Sequence, residues 1–192
     1  MKKLVLTLLL LQCPMPYGQE SLEPRIKLTP AQFAEVSARC APFADAGTLL
    51  AVATTESALY VNSISLNRPV QSARRNGLNH RRLALTRQPH SKKEALQWMR
   101  WFSDRQYMIS VGLMQINTEN ASLFHVTAEQ LFDPCTNISV GATILAESYR
   151  RNIERHQSPH QALLDAISEY NSGSSTLGYS NGYVYAVISN TP

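Results

Sequence analysis

The sequence has no apolar run long enough to cross a membrane, no internal repeat and no evident linker. Its N-terminal apolar run, Leu4–Leu11, has eight residues, whereas a membrane-spanning helix needs about 20. The chain has 192 residues and is 44% hydrophobic, which is enough for one good core and gives no sign of a second domain. We therefore expect a single globular domain with no transmembrane segment in the mature chain.

The beginning of the chain has the order of a secretory signal peptide, although it lacks an Ala-x-Ala cleavage motif. Two lysines precede the apolar run, and prolines and a glycine follow it. This order predicts a signal peptide over 1–19, a mature domain over 20–192 and a periplasmic location. Cys13 also resembles a lipoprotein site, although Gln12 is a large residue where a small one is expected.

Cysteine is scarce, with three in the whole chain. Removal of the signal peptide leaves Cys40 and Cys135, and a pair in an oxidising compartment is usually bridged. Such a bridge would tie the helix before Glu56 to a helix expected to begin near Asn137. Two separate buried thiols are the alternative.

Basic residues are concentrated in residues 61–110. That stretch has ten Lys or Arg against two acidic residues, whereas the net charge of the whole chain is +4. A basic block can bind nucleic acid, attract the acidic peptides and anionic polymers of a cell wall, or be a solvated insertion. An exported protein rarely meets nucleic acid, so we rank wall binding above DNA binding.

Capping signals predict helices in the first part of the chain. Thr29-Pro30 opens a helix over 31–38, Asp45 can cap a second through about Thr55, and Ser91 can cap a third over 91–103.

The second helix carries a carboxylate on its apolar face. Leu49, Ala53 and Glu56 fall at i, i+4 and i+7, so Glu56 belongs to the inward side. A carboxylate there either finds a partner or has its pKa raised by desolvation. The alternative is a glutamate at a frayed helix end, turned to water.

Helices are also expected in the last third. Asn137 can cap a helix whose apolar residues hold helical spacing as far as Tyr149, and Ser158-Pro159 opens another that carries Tyr170 on its core face. Residues 171–182 are predicted to form a loop, and residues 183–188 are predicted to form a last helical turn or two. Outside the helix over 91–103, residues 61–110 are expected to be irregular or a small sheet. In that helix Leu96, Met99, Trp101 and Phe102 are expected core contacts, and Trp98 and Trp101 either belong to the core or stack on sugar rings.

Three polar motifs follow one another at wide spacing: Glu56-Ser57, the sequence Gly-Leu-Met-Gln-Ile-Asn at 112–117, and Tyr-Asn-Ser-Gly at 170–173. This series resembles the lysozyme-like lytic transglycosylases that cut the glycan strands of bacterial peptidoglycan. The segments at 40–42, 133–137 and 181–184 resemble more narrowly the small transglycosylases that accompany type IV secretion and conjugation machines. The resemblance runs from about Phe33 to Ile188.

The resemblance implies a mainly α, lysozyme-like α+β fold, in which a helical lobe faces a small irregular or β-containing lobe across a substrate cleft. The small lobe would be the basic stretch 61–110. It further implies cleavage of the β-1,4 bond between N-acetylmuramic acid and N-acetylglucosamine to give a 1,6-anhydro end, with no cofactor and no metal. The implied partners are peptidoglycan and components of a type IV secretion or conjugation machine.

The resemblance also assigns roles to individual residues. Glu56 matches the family's acid/base, and the hydroxyl of Tyr170 is expected to bond to its carboxylate. The position of Ser110 is often acidic in these relatives. A serine there removes a possible cleft carboxylate and weakens the case for a lysozyme mechanism that uses two carboxylates. The other residues expected to touch or shape the substrate site are Ser57, Gly112, Met114, Gln115, Asn117 and Asn171.

Other functions remain to be weighed. A hydrolytic lysozyme is one alternative, and a weakly active, wall-binding recruiter of the secretion machine is another. The Gly178-x-Ser180-x-Gly182 pattern resembles a hydrolase nucleophile elbow, but neither Asp nor His follows it. His156 and His160 lack a nearby third ligand, and Pro159 separates them, so we expect no metal site.

Overall fold

The computed structural model describes residues 25–67, 85–155 and 158–192, and helices dominate these ranges. The α-helices are α1 (Pro30–Cys40), α2 (Ala46–Ser57), α3 (Lys92–Ser103), α4 (Pro134–Ile153), α5 (Pro159–Ser172), α6 (Leu177–Ser180) and α7 (Tyr183–Ser189). Two 3₁₀-helices, Thr118–Phe124 and Gln130–Phe132, lead from the sheet to α4.

Side-chain caps confirm four of the predicted helix starts, at Thr29, Asp45, Ser91 and Ser158, the last of which accepts from the N–H of Gln161 at 3.4 Å. Thr29 and Gln32 form a reciprocal capping box at α1, with N–O distances of 3.2 and 2.9 Å. Asp45 accepts from the backbone N–H of Thr48 at 2.7 Å, and Ser91 accepts from the N–H three residues on at 3.2 Å. Each such cap contributes roughly 1 kcal/mol to helix stability.

The predicted cap at Asn137 is wrong, because α4 begins one turn earlier. Asp133 is the cap and accepts from the N–H of Thr136 at 2.9 Å, and Pro134 occupies the first helical position. An Asp followed by Pro combines a side-chain acceptor with a preset backbone angle. Asn137 is therefore inside the helix, and its side chain is buried.

A small antiparallel sheet has the order β1-β2-β3, with β1 at Ile64–Leu66, β2 at Ile109–Val111 and β3 at Ile116–Asn117. Ile64, Val111 and Ile116 are in register on its buried side. Because side chains alternate between the two faces of a strand, Ser65, Ser110 and Asn117 share the opposite side. The expected fold class, a mainly helical α+β domain with a small sheet, is confirmed.

The core lies where α4 packs against α1 and α5, and where α1 packs against α2. Helix α2 is apolar around most of its circumference, since Leu49, Ala51, Val52 and Ala53 are all buried. A helix of that composition is stable only when neighbours cover it on several sides. The last turn of α2, which carries Glu56, is consequently partly buried.

The segment 171–182, predicted as a loop, contains more regular structure. Helix α5 continues to Ser172 and ends at Gly173 with φ +72°, and α6 follows before the chain turns at Gly182 with φ +84°. The N–H of Gly178 donates to the hydroxyl of Ser168 at 2.8 Å, and a Cβ at position 178 would collide with the Ser168 backbone. This tertiary contact, which has no local sequence signal, holds the short helix.

The basic stretch 61–110 is described only in part. Its five arginines at 68, 74, 75, 81 and 82 lie outside the described residues. In α3, Met99 and Phe102 are buried as predicted, but Trp101 is 47% exposed. Position 101 lies off the helical stripe that Met99 and Phe102 share, which explains this exposure. The Arg105 guanidinium carbon lies 4.0 Å from the centroid of the Trp101 ring and covers it. The prediction of Trp101 as a core contact is therefore wrong, whereas Trp98 is half-buried.

The N-terminal signal peptide predicted over 1–19, including Cys13, lies outside the described residues. Within the part of the chain that the structure describes, none of the helices combines the length and apolarity needed to cross a membrane.

The predicted disulfide is confirmed. Cys40 is the last residue of α1 and Cys135 is the second residue of α4, and their Cα atoms are 5.4 Å apart. The bridge joins residues 95 positions apart in the chain, so it restricts a very long loop of the unfolded state.

Removal of this bridge is expected to lower the free energy of unfolding by about 3 to 5 kcal/mol, the range for loops of this length. Urea denaturation of the oxidised wild-type protein and of the Cys40→Ala/Cys135→Ala variant measures the difference. Reduced wild-type protein serves as the control and should unfold with the variant. Two titratable thiols in the unreduced, denatured mature protein would contradict the bridge.

Candidate active site

Glu56 lies in the last turn of α2 and lines a groove of about 880 Å³. One wall of the groove is the polar face of the sheet, with Ser65, Ser110 and Asn117. The opposite wall is formed by α4 and the C-terminal end of α5. The acid is therefore partly buried but open to a cavity that can hold a ligand.

The pKa of Glu56 is set by two opposed effects. Burial disfavours the charged carboxylate and raises its pKa from 4.5 to about 7, although a hydrogen bond from Tyr183 lowers it in part. The Tyr183 hydroxyl donates to Oε1 of Glu56 at 2.5 Å. A large fraction of Glu56 is therefore protonated near neutral pH and can give its proton to a ligand.

The predicted hydrogen bond from Tyr170 to Glu56 is wrong, because Tyr183 makes that contact. The Tyr170 hydroxyl donates instead to the backbone carbonyl of Met114 at 2.6 Å. Burial, followed by the negative charge of Glu56, raises the pKa of both tyrosines, so each stays a neutral donor. Tyr183 stands at the start of α7, within the Asn-Gly-Tyr-Val segment at 181–184, and that segment was the available signal.

The Gly112 turn brings the second motif beside Glu56. Gly112 has φ +80°, and a Cβ at this position would collide with the side chain of Asn137 and the carbonyl of Leu131. Glycine is therefore required both by the backbone angle and by the close approach of Asn137.

Asn137, which was predicted to cap a helix, holds this turn instead. Its amide donates to the carbonyls of Val111 and Leu131 at 2.9 and 2.7 Å, and its oxygen accepts from the N–H of Met114 at 2.7 Å. Because the amide is buried, each of these bonds would be costly to leave unmade.

Ser57 ties α2 to the same turn. Its hydroxyl lies 2.8 Å from the carbonyl of Leu113 and 3.1 Å from that of Ala53, and the residue is buried. The structure therefore places Ser57 behind the groove, where it fixes the position of the neighbouring glutamate.

Gln115 and Asn117 both line the groove. Gln115 has φ +47°, and its Nε2 donates to the carbonyls of Gly112 at 2.8 Å and Ser63 at 3.2 Å. Asn117 caps the 3₁₀-helix that follows it, because its Oδ1 accepts from the N–H of Glu119 at 3.0 Å. The amide nitrogen of Asn117 takes no part in this cap.

Besides Ser57, two more of the predicted substrate contacts are not on the groove surface. The side chain of Met114 is fully buried, next to the space that a side chain at Gly141 would fill, and Gly112 is buried as well. Asn171 does line the groove, and its Oδ1 accepts from Nδ2 of Asn181 at 2.9 Å. The structure thus brings Glu56, Gln115, Asn117, Tyr170 and Asn171 to one cavity.

The competing motifs do not form sites in the described part of the chain. Ser180 donates to the carbonyl of Leu177 at 3.0 Å, and α5 rather than a strand leads into this segment. His160 is exposed at the start of α5, and His156 lies outside the described residues. No cluster of three or more metal-ligating side chains occurs among the residues that the structure describes.

A mainly helical domain with a small sheet and a desolvated acid in a polar groove fits the lysozyme-like class. Residues 36–190 match the family described as the transglycosylase SLT domain, and the chain belongs to that family. The resemblance drawn from the motifs is thereby confirmed.

Several curated proteins are similar to the chain. Protein virB1 of Rhizobium radiobacter is 32% identical over 160 residues, which cover 83% of this chain and 61% of that protein. Type IV secretion system protein virB1 of Brucella abortus biovar 1 is 36% identical over 110 residues, which cover 54% of this chain and 46% of that protein. The chain thus spans about three-fifths of the length of the Rhizobium protein. No solved structure matches the chain at a significant level.

The raised pKa makes stability depend on pH. The folded pKa is about 7 and the ordinary value is 4.5, so the stability that protonated Glu56 gives is fully present below about pH 4.5. It is lost as pH rises through about 7. Glu56→Gln removes this loss, and the variant should exceed the wild type in unfolding free energy by up to about 3 kcal/mol at pH 8.

Urea denaturation between pH 4 and 8 measures this difference. Glu35→Gln, the same change at an exposed position of α1, is the control and should show no such growth. A wild-type protein as stable as Glu56→Gln at pH 8 would contradict a buried, desolvated Glu56.

The contact between Tyr183 and Glu56 predicts a shift in a known direction. In Tyr183→Phe the carboxylate loses a donor that favours its charged form, so the pKa of Glu56 should rise further above its ordinary value. Carbon-detected NMR titration of the labelled Glu56 carboxyl group measures the change. Tyr185→Phe, on the same helix but exposed, should leave the titration unchanged. A lower pKa in Tyr183→Phe than in the wild type would refute the contact.

Proposed function

We propose that the chain is a peptidoglycan lytic transglycosylase that opens the cell wall locally for a type IV secretion or conjugation apparatus. The observation that carries this proposal is Glu56, a desolvated acid with a pKa of about 7 in a polar groove. Membership of the transglycosylase SLT domain family supports the same chemistry.

The proposed reaction uses Glu56 twice. Its carboxyl group protonates the oxygen that bridges N-acetylmuramic acid and N-acetylglucosamine, and the bond from that oxygen to the anomeric carbon breaks while the N-acetyl group assists. The carboxylate then takes the proton of the sugar's own 6-hydroxyl, whose oxygen bonds to the anomeric carbon. The product is a 1,6-anhydro ring, no water is consumed, and Glu56 regains its proton.

Intramolecular attack requires orientation more than a second catalytic group. Effective molarities of about 10⁵ M or more are reached when the reacting atoms are well aligned. Asn137 fixes the glycine turn, and Ser57 fixes the end of α2 to that same turn next to Glu56. This rigidity supports a mechanism in which the protein supplies one proton donor and a shaped cavity.

The carboxylates of the groove argue against a reaction that needs two free ones. Of the described residues that line it, Glu56 and Glu169 carry carboxylates. Both oxygens of Glu169 already have partners: Oε1 lies 3.2 Å from Nη2 of Arg151, and Oε2 accepts from Nδ2 of Asn152 at 2.8 Å. The sequence between 68 and 84, which the structure does not describe, contains neither Asp nor Glu. Ser110 carries a hydroxyl group rather than a carboxyl group, and this hydroxyl accepts from the amide of Asn67 at 2.7 Å.

The lining of the groove suits an amino sugar polymer. Amide and hydroxyl groups are available from both walls, and the partly exposed side chains of Ile144 and Met108 offer apolar surface. Pyranose rings present hydroxyl groups at their edges and C–H groups on their faces, so a glycan strand uses both kinds of contact.

The relatives support the transport context. A Brucella abortus protein that resembles the chain is named as a type IV secretion system protein. Together with the signal peptide proposed over 1–19, this resemblance supports a periplasmic enzyme whose partners are peptidoglycan and a secretion or conjugation machine.

Glu56→Gln should retain the fold and lower the rate of peptidoglycan clearance by about 10²- to 10⁴-fold, because glutamine keeps the shape but supplies no proton. Clearance of purified peptidoglycan by the mature protein measures the rate, with Glu35→Gln as the matched control. A folded Glu56→Gln variant that clears peptidoglycan at the wild-type rate would exclude Glu56 as the acid.

Mass spectrometry of the released fragments tests the type of reaction. We expect fragments one water lighter than those that a lysozyme releases from the same peptidoglycan, because the anhydro ring replaces a reducing end. Fragments with reducing ends alone would instead identify a hydrolytic lysozyme.

A further inference from the structure

We propose that Arg151 forms a sugar-orienting subsite at the helical end of the groove, where its guanidinium group donates to uncharged oxygen atoms of the glycan. This inference rests on the proposed function and assigns a part of the groove that the chemistry at Glu56 does not use.

Arg151 lies on a stripe of α4 that faces the groove. Ile144, Ser148 and Arg151 are spaced at i, i+4 and i+7, which places them on one side of a helix, and all three line the cavity. Glu169, Tyr170 and the residues after them line the cavity from α5. The stripe therefore continues the wall that reaches Glu56 through Tyr170.

The guanidinium group is held in place on one side only. Nη2 donates to the Ser148 hydroxyl at 2.9 Å, and Nε and Nη2 both contact Oε1 of Glu169, at 3.3 and 3.2 Å. Among the described residues, Nη1 makes no hydrogen bond. Its two N–H groups are thus available to a ligand in the groove, while the rest of the group is fixed.

The support behind Arg151 is buried. Oε2 of Glu169 accepts from the amide of Asn152 at 2.8 Å, and Asn152 and Ser148 are almost without solvent contact. The side chains of Arg151 and Glu169 are 40% and 19% exposed. By contrast, the neighbouring pair of Arg150 and Glu154 is 69% and 65% exposed. Arg151 is therefore a preorganised group and Arg150 an ordinary surface charge.

The charge of the pair selects the kind of ligand. Glu169 offsets the positive charge of Arg151. An incoming carboxylate would therefore be attracted by Arg151 and repelled by Glu169. A hydroxyl or an N-acetyl carbonyl oxygen accepts from Nη1 without that repulsion. Ile144, one helical turn before Ser148, supplies an apolar surface for a ring face. Both features favour the uncharged sugar backbone over the acidic peptides that it carries.

Binding of triacetylchitotriose, a neutral N-acetylglucosamine trimer, tests the subsite directly. In the Glu56→Gln background, which prevents cleavage, isothermal titration calorimetry should show roughly 10-fold weaker binding for Arg151→Met, the loss expected for one or two hydrogen bonds from a charged donor. Arg150→Met removes the same charge from the same helix outside the groove, and its affinity should equal that of the background protein.

Cleavage kinetics separate the sugar from its peptides. With active protein, Arg151→Met should lower kcat/KM by a similar factor on intact peptidoglycan and on glycan strands freed of peptide by an amidase. A decrease confined to the peptide-bearing substrate would overturn the proposal in favour of an anion site. Unchanged affinity and kcat/KM in a folded Arg151→Met variant would overturn it while leaving the proposed function intact.

A second variant keeps the test valid if Arg151→Met fails to fold. Glu169→Gln retains Arg151 but removes the offsetting charge, so the ratio of kcat/KM on peptide-bearing to peptide-free substrate should rise at least 3-fold, on the order expected for an unmasked surface charge. An unchanged ratio would overturn the proposed selectivity. A wild-type protein that neither cleaves peptidoglycan nor binds the trimer would overturn the proposed function, and this subsite with it.

Discussion

The side-chain amide of Asn137 joins three parts of the molecule that are distant in sequence. It holds the carbonyl of Val111 at the end of β2, the carbonyl of Leu131 in a 3₁₀-helix and the N–H of Met114 in the glycine turn. The same turn receives hydrogen bonds from Ser57 and Tyr170. One buried amide therefore sets the relative positions of the helix that carries Glu56, the sheet wall of the groove and the helix that carries Tyr170.

Local sequence signals predicted the elements well but not all of their contacts. The caps at Thr29, Asp45 and Ser91 act within four residues, so the sequence alone locates those helices. Spacing also placed Glu56 on the buried side of α2. It could not decide between Tyr170 and Tyr183 as the partner of Glu56, because both lie on partly apolar helices and only the packing of α7 on α2 brings one hydroxyl within reach. Asn137 was taken for a cap because amide residues favour caps, whereas here its polar group satisfies buried backbone.

The acid is maintained against the stability of the fold. Placing a carboxyl at the end of an apolar helix costs free energy whenever it is charged, and the hydrogen bond from Tyr183 offsets part of this cost. A protein that needed only stability would carry a glutamine or an apolar residue at this position. Functional groups are commonly retained at such a cost. The disulfide between α1 and α4 supplies compensating stability without touching the groove.

The hydrogen bond between Glu56 and Tyr183 spans 127 residues of chain. Synthesis proceeds from the N-terminus, so Glu56 is made long before the helix that completes its surroundings. Until α7 folds onto α2, the carboxyl group has neither its donor nor its full covering, and water keeps its acidity close to that of a free side chain. The order of the chain thus leaves Glu56 an ordinary solvated glutamate until the last helix has folded, and a copy that ends before Tyr183 lacks the raised acid altogether.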